Sequence, residues 1–296
     1  MRLRSYTGKP VGENDGSLSV ASVEDDRVRA ILLSSALIDE SQLDQIDAQK
    51  NRTNQSFREA AVDLGIVSQE VVQQATAGQR SSMLLITGES VVSPAVVAAF
   101  DLFDPLTEKL RALRPVIITP AQMTNSKPRI IVISGISGND TPGIAANFAV
   151  VVAQLGYDGL LVDANLSRPT QHHLFGVPNR DGVSTLLTQG PNDAAFVKTQ
   201  IPHLDLLTAG SDIINVAESL ERTSLCGTLR SLRRGYHFVI VDGGTQPIEV
   251  AAAMARGSDG VLIIAERGRT QVKRLKQAIG QMESREIDVL GTILAR

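Results

Sequence analysis

The chain has no tryptophan, only 3% aromatic residues and a single cysteine, Cys226, in 296 residues. One thiol cannot form an internal disulfide, so no disulfide framework holds the fold, and such usage fits a reducing compartment. The scarcity of rings excludes a core packed around aromatics. With 43% hydrophobic residues, the interior must come from Val, Ile, Leu and Ala, which favours an α/β architecture. No charge predominates: 29 Lys and Arg stand against 32 Asp and Glu, a formal net charge of −3. That balance gives no ground for nucleic acid as a partner. No uninterrupted apolar run approaches the ~18 residues that a spanning helix needs. The polar start, Met1–Ser17, carries nothing like a signal sequence. A cytoplasmic protein is the default expectation.

The length suits one full-sized domain and a smaller one. Residues 1–25, rich in Gly, Ser and charge, read as a flexible tail. Residues 26–80 are helical in character. The uneven spacing of Ile31, Leu32, Leu37, Ile38, Leu43 and Ile46 predicts two short helices broken by a turn. The theme repeats: Ala36-Leu37-Ile38 with Gln42-Leu43 returns as Gly65-Ile66-Val67 with Val71-Val72. Asp39 and Ser68 stand as N-caps, and Gln42 makes the first copy resemble a capping box. Residues 81–103 read as a linker, with a helix over Val96–Phe103. A further helix over Leu106–Leu113 is expected to stop at Pro115.

From Arg129 onward short apolar runs alternate with helical stretches. Ile130–Ile133, Gly159–Val162, Leu204–Leu207, Phe238–Val241, Val261–Ala265 and Val289–Leu294 read as strands. Ala145–Leu155, Ala217–Arg233 and Gln271–Ser284 read as helices between them. Continuous aliphatic runs belong to strands buried on both faces. The alternation predicts an α/β fold, a doubly wound, mostly parallel sheet over residues 104–296, preceded by a small α-helical domain. Ligands in such a sheet sit at the carboxyl ends of its strands.

The first strand runs into Ser134-Gly135-Ile136-Ser137-Gly138-Asn139-Asp140-Thr141-Pro142-Gly143 and then a helix. A working phosphate loop needs glycines that let backbone N–H groups converge, a lysine for the terminal phosphates, and a hydroxyl for Mg²⁺. The glycines are here and the lysine is not. Gly135, Gly138 and Gly143 therefore fit either a tight turn or a residual anion site.

Ala145-Ala146-Asn147-Phe148-Ala149, Gln154-Leu155-Gly156 and Leu160-Leu161-Val162-Asp163-Ala164-Asn165-Leu166-Ser167-Arg168-Pro169 strongly resemble the bacterial tyrosine kinases of exopolysaccharide export. They are similar, more loosely, to the MinD/ParA group of P-loop ATPases. In those kinases the loop typically reads G-E-G-K-S-T. Here Thr141 stands at the lysine and Pro142 at the Mg²⁺-binding hydroxyl, while Asp140 adds negative charge. Of the family's D-A-D motif, Asp163 remains and Asn165 replaces the second aspartate. The Walker B strand ends in Asp242, but its Thr-Pro-Pro continuation has become Gly243-Gly244-Thr245. Gly182–Leu187, Leu206–Gly210 and Ser258–Val261 match other landmarks of the family. Only Tyr6, Tyr157 and Tyr236 are present, scattered, and the chain as read stops just after its last strand. The kinases' tyrosine-rich tail is therefore not expected.

The resemblance implies a P-loop fold with a degenerate nucleotide site formed by Gly135, Gly138, Thr141, Gly143, Asp163 and Asp242. No cofactor is expected beyond residual ATP or ADP with Mg²⁺, and no catalytic residue survives. Glu108-Lys109-Leu110-Arg111-Ala112-Leu113-Arg114 matches the E-x-x-R-x-x-R helix through which the kinases form rings. Glu108, Arg111 and Arg114 thus imply homo-oligomerisation, against the bland alternative of a solvated helix face. The implied role is a kinase-like regulator of polysaccharide synthesis that docks on a membrane polysaccharide co-polymerase, recruited to the inner face of the cytoplasmic membrane. A working kinase or ATPase with relocated phosphate contacts, for which Lys127 and Arg168 are nearest in sequence, remains open. The N-terminal helical repeat resembles the N-terminal domain of type II secretion and type IV pilus ATPases. Arg27-Val28-Arg29 and Ser56-Phe57-Arg58 approximate the start of the cyclic di-GMP motifs some of those domains carry. A localisation or pilus-assembly factor responsive to cyclic di-GMP is thus a third reading. His172 and His173 lack the partners of a metal site, and no metal is expected. Arg230, Arg233 and Arg234 read as a solvated helix end, and Cys226 as a buried thiol.

Overall fold

The computed structural model describes residues 28–29, 32–33, 38–53, 55–69, 71–72, 84–117, 128–138, 140–190, 194–213, 215–232 and 235–295. The tail over 1–25, Arg27, Ile31, Ala36, Leu37, Lys127, Asn139, Arg233 and Arg234 lie outside them. The chain divides into two compact units, Met1–Ser82 and Met83–Arg296.

In the first unit, α1 (Glu40–Thr53) opens on a capping box. Gln42 N donates to Asp39 Oδ1 at 2.8 Å, and Asp39 N donates to Gln42 Oε1 at 3.0 Å. A second box not foreseen from the sequence, Ser56 with Glu59, opens α2 (Phe57–Asp63). Ser68 accepts from Val71 N at 3.3 Å. Leu32, Ile38, Ile46, Phe57 and Val67 form the core. Arg29, part of the approximate cyclic di-GMP motif, pairs with Asp47 at 2.9 Å.

The second unit begins with two corrections. The helix expected over Val96–Phe103 is only a 3₁₀ turn at Val97–Ala99. Its backbone is engaged elsewhere: Asn147 accepts from Ala98 N at 2.8 Å and donates to Ala95 O at 3.1 Å, and Gln154 donates to Ala98 O at 2.9 Å. The segment closes a short turn of its own, Ala99 N donating to Val96 O at 2.9 Å and Phe100 N to Val97 O at 3.0 Å, and polar side chains of α4 and the residue after it dock it there. The next helix, α3 (Pro105–Ile117), runs through Pro115. A proline in the last turn forfeits one bond near the helix end, and buried Ile117 anchors the turn beyond it.

The α/β part follows in chain order: β1 (Arg129–Gly135), α4 (Thr141–Ala153), β2 (Gly159–Asp163), α5 (Gln171–Leu174), α6 (Val183–Thr188), β3 (Phe196–Lys198), β4 (Leu204–Leu207), α7 (Val216–Arg222), α8 (Leu225–Arg230), β5 (Phe238–Thr245), α9 (Ile248–Ala255), β6 (Gly260–Glu266), α10 (Val272–Glu283) and β7 (Val289–Ala295). The seven strands order as β3-β4-β2-β5-β1-β6-β7. All are parallel except the short edge strand β3, which the sequence reading did not include. Successive strand residues point to opposite faces. Ile131, Ile133, Leu161 and Ile240 pack with α4 on one side, while Ile130, Val132, Leu160 and Val241 pack with α8 and α9 on the other. At Gly159 an added Cβ would stand 1.9 Å from the Phe238 ring, so β2 and β5 need glycine there.

The helix expected over Ala217–Arg233 is two helices, because Ser224 accepts from Gly227 N at 3.1 Å and caps a new start. Arg230 is no solvated helix end. It donates to Asp259 Oδ2 and Gly257 O, each at 2.9 Å, and Asp259 Oδ2 also accepts from Ile130 N at 2.7 Å. This arrangement fixes the start of β1. Among the described residues no helix is long and apolar enough to cross a membrane.

Candidate functional site

The site lies at the carboxyl ends of β1, β2 and β5. Register alone makes Asp163 and Asp242 neighbours on adjacent parallel strands, and both are buried. Asp163 accepts backbone N–H bonds from Asn165 (3.2 Å), Thr170 (3.0 Å) and Gln171 (2.9 Å). Asp242 accepts from Gly244 N at 2.9 Å and from Gln171 Nε2 at 2.6 Å. Among the described residues neither aspartate has an ion-pair partner. Burial, then the negative charge of Asp242, pushes Asp163 up to about 7 against the pull of its three N–H donors. Burial likewise pushes Asp242 up to about 6, against its bonds from Gln171 and Gly244. The two titrate as a pair.

Gln171, fully buried, donates through Nε2 both to Asp242 and to Pro142 O at 3.0 Å. It ties the start of α4 to the end of β5. Its Oε1 and the Thr170 hydroxyl are buried without a partner among the described residues. Two carboxylates and an unused amide oxygen form the kind of all-oxygen donor set that suits a hard divalent cation.

The loop after β1 enters α4 at Thr141, with no side-chain cap at Asp140 and proline in the first turn. Thr141 is wholly buried, its Oγ1 3.4 Å from Thr245 Oγ1, which itself donates to Gly138 O at 2.8 Å. Both hydroxyls crowd Gly135, where a Cβ would stand 2.3 and 2.5 Å from them. At Gly138 (φ +81°) a Cβ would meet Glu266 Oε2 at 2.1 Å. The end of β6 thus lays a carboxylate against the loop. Arg269 pairs with that carboxylate at 3.0 Å, and the Ser137 and Thr270 hydroxyls bond to each other. Gly143 has open space around it and is not required by any close approach. Asn165, at the second aspartate position of the motif, accepts from Gln246 Nε2 at 3.0 Å.

Gly135, Gly138, Thr141, Asp163 and Asp242 are therefore gathered by Thr245 and Gln171, two residues to which the sequence reading assigned no role. Thr245 was visible only as a departure after Asp242. Gln171 lies eight positions past Asp163, at the start of the four-residue helix α5, with no pattern to mark it.

Glu108, Arg111 and Arg114 lie apart on α3. Glu108 is exposed. Arg111 donates to Leu102 O at 3.3 Å, and Arg114 donates to Val151 O in the last turn of α4 at 3.1 Å. Burial lowers the pKa of both guanidinium groups. The His172 and His173 rings lie tilted at 39° to each other with centroids 3.9 Å apart. Among the described residues no group of three or more His, Cys, Asp or Glu could hold a metal ion.

No family model matches the chain. It is 31% identical over 192 residues to the tyrosine-protein kinase YwqD of Bacillus subtilis, covering 64% of this chain and 80% of YwqD. It is 29% identical over 178 residues to the succinoglycan biosynthesis transport protein ExoP of Rhizobium meliloti, covering 58% of this chain and 23% of ExoP. Among solved structures, the chimerical protein CapA2B2 matches with a TM-score of 0.58 and 29% identity, over 75% of this chain and 98% of that one. The chain thus spans most of a short relative such as YwqD but under a quarter of the length of ExoP.

Proposed function

The chain belongs to the family of bacterial tyrosine-protein kinases, and from that premise we propose that it is a catalytically degenerate member. It regulates exopolysaccharide synthesis or export by docking to a membrane polysaccharide co-polymerase at the inner face of the cytoplasmic membrane, without phosphoryl transfer. A homo-oligomer built through Glu108, Arg111 and Arg114 is part of this reading. A relative named for succinoglycan transport supports the polysaccharide setting.

The observation that carries the proposal is Thr141. Phosphoryl transfer depends on positive charge placed over the transferring oxygens. At that place the chain has a buried hydroxyl engaged with Thr245, and Pro142 offers neither hydroxyl nor N–H. Glu266 adds negative charge against Gly138. Asp163, Asp242 and Gln171 Oε1 suit Mg²⁺, which when bound would neutralise their charge. The residues around the loop do not suit a triphosphate.

Calorimetric titration of the full chain with Mg·ATP is the test. The expected result is no heat up to millimolar nucleotide, from protein shown to be folded by circular dichroism. Binding at micromolar concentration would overturn the proposal. The double variant Thr141→Lys, Pro142→Ser is expected to gain nucleotide binding that the natural chain lacks.

One observation favours a working ATPase with relocated contacts: Arg269, 69% exposed, pairs with Glu266 beside the loop. Arg168, nearest in sequence, is exposed and has no ion pair among the described residues. If Mg·ATP binds and Arg269→Ala abolishes the heat, this second reading replaces the first.

A further inference from the structure

The two edges of the sheet are built differently. A sheet edge presents unpaired N–H and C=O groups to any other strand, and proteins blunt such edges with short strands, proline or exposed lysine. The β3 edge is blunted: it has three residues, runs antiparallel to β4 and ends at Lys198, whose side chain is 87% exposed. The β7 edge is not. Its seven residues, Val289-Leu290-Gly291-Thr292-Ile293-Leu294-Ala295, hold no charge and no proline. Its register against β6 slips once, between Val289 and Gly291, and then runs unbroken from Gly291 to Ala295. Among the described residues no strand pairs with the other side of β7.

The side chains and charges beside this edge add a direction. Thr292 and Leu294 lie opposite Ile263 and Ala265 of β6, so they share the sheet face on which α10 packs. That helix leaves them uncovered: Thr292 is exposed and Leu294 is 64% exposed. At the carboxyl end of the edge stand the exposed cations Arg267, whose N–H donates to Ala295 O at 2.9 Å, and Lys273 and Arg274 in the first turn of α10. At the amino end stand the exposed acids Glu283, Glu286 and Asp288, the last leading directly into β7, with Arg285 among them. The edge is thus uncharged along its length, basic at one end and acidic at the other.

We infer that β7 is the pairing edge for a second copy of this chain, giving a two-fold dimer with one sheet continuous across both protomers. Two like edges that pair about a two-fold axis run antiparallel. That arrangement sets Glu286 and Asp288 of one copy beside Arg267 of the other, at both ends of the seam. Opposite charges there favour it, whereas a parallel pairing would bring like charges together. Leu294, uncovered in the single copy, gains a cross-strand neighbour. The seam involves none of Glu108, Arg111 and Arg114, and it needs neither nucleotide nor a membrane partner. It therefore stands or falls separately from the proposed function.

The test is sedimentation equilibrium of the full chain without nucleotide, in a Glu108→Lys background that reverses the charge on the proposed ring contact. Assembly is expected to stop at the dimer. Leu294→Lys and Thr292→Lys, both at exposed positions, place a charge in the seam and should each raise the dissociation constant at least about tenfold. Circular dichroism checks that both variants fold. Arg267→Glu alone and Asp288→Arg alone should each weaken the dimer by about threefold or more. The double swap Arg267→Glu/Asp288→Arg should restore it, because each reversed end then meets the other across the seam. A monomer at every concentration up to about 100 μM would overturn the inference. So would growth past the dimer, a dimer indifferent to Leu294→Lys, or single reversals that the double swap does not rescue.

Discussion

A buried carboxylate stays ionised only where something offsets its lost hydration, and Asp242 has an amide where a cation would serve better. Gln171 Nε2 at 2.6 Å is a donor without net charge, so the acid pair favours holding a proton. The consequence for stability has a definite sign. In the unfolded chain both acids titrate near 3.8, whereas folded they titrate at about 7 and about 6. The native state therefore binds more protons between those limits, and its stability falls as pH rises from about 4 to about 7. The melting temperature is expected to drop between about pH 5.5 and about pH 8. Asp242→Asn should flatten that slope and melt higher than the natural chain at the alkaline end. A slope unchanged in the variant would place the effect elsewhere. Adding Mg²⁺ at about pH 8 should raise the melting temperature of the natural chain more than that of the variant. Asp163 and Asp242 were legible in the sequence because each directly follows an aliphatic run. Gln171 was not, since its role arises from the tertiary placement of the short helix α5 against the strand ends.

Among the elements, the strands of the parallel sheet were legible because strands buried on both faces are continuous apolar runs. The half-exposed three-residue β3 has no such signature. The break between α7 and α8 turns on one serine hydroxyl, and Ser224 reads equally well inside a helix. The α3 arginines show how a motif and its use can separate. Arg114 donates to a carbonyl in the last turn of α4, where helices leave acceptors unsatisfied and cations are favoured. Arg114→Ala is expected to destabilise the chain by about 1 kcal/mol in urea unfolding. A role confined to a subunit interface would instead leave monomer stability untouched and change only the sedimentation coefficient. Glu108, exposed and among the described residues facing only the charge of Arg111 one turn on, provides the contrast. Glu108→Ala should leave urea unfolding within about 0.5 kcal/mol of the natural chain, so any change in assembly it causes reports the interface alone.

At the scale of the whole molecule, the doubly wound sheet was foreseen from strand and helix alternation, and a helical module before it from the repeat of capped turns. The two compact units have separate cores: a small one around Phe57 and Ile46, and a large one on both faces of the sheet. Their ionisable groups give them different responses to pH. In the helical unit, Glu59 has its pKa lowered from 4.5 by its bonds with Ser56. Its contribution is present above that value and lost only as pH falls below it. The α/β unit loses stability in the other direction, as pH climbs from about 4 to about 7. Between about pH 5.5 and about pH 8 the helical unit should therefore be indifferent to pH while the α/β unit is not. Scanning calorimetry of the full chain is expected to show two transitions. The one with the larger enthalpy, as the larger unit requires, should shift down with rising pH while the other stays in place. A single transition at every pH would mean that the units unfold as one. Two transitions shifting together would mean that the aspartate pair is not what sets the pH response.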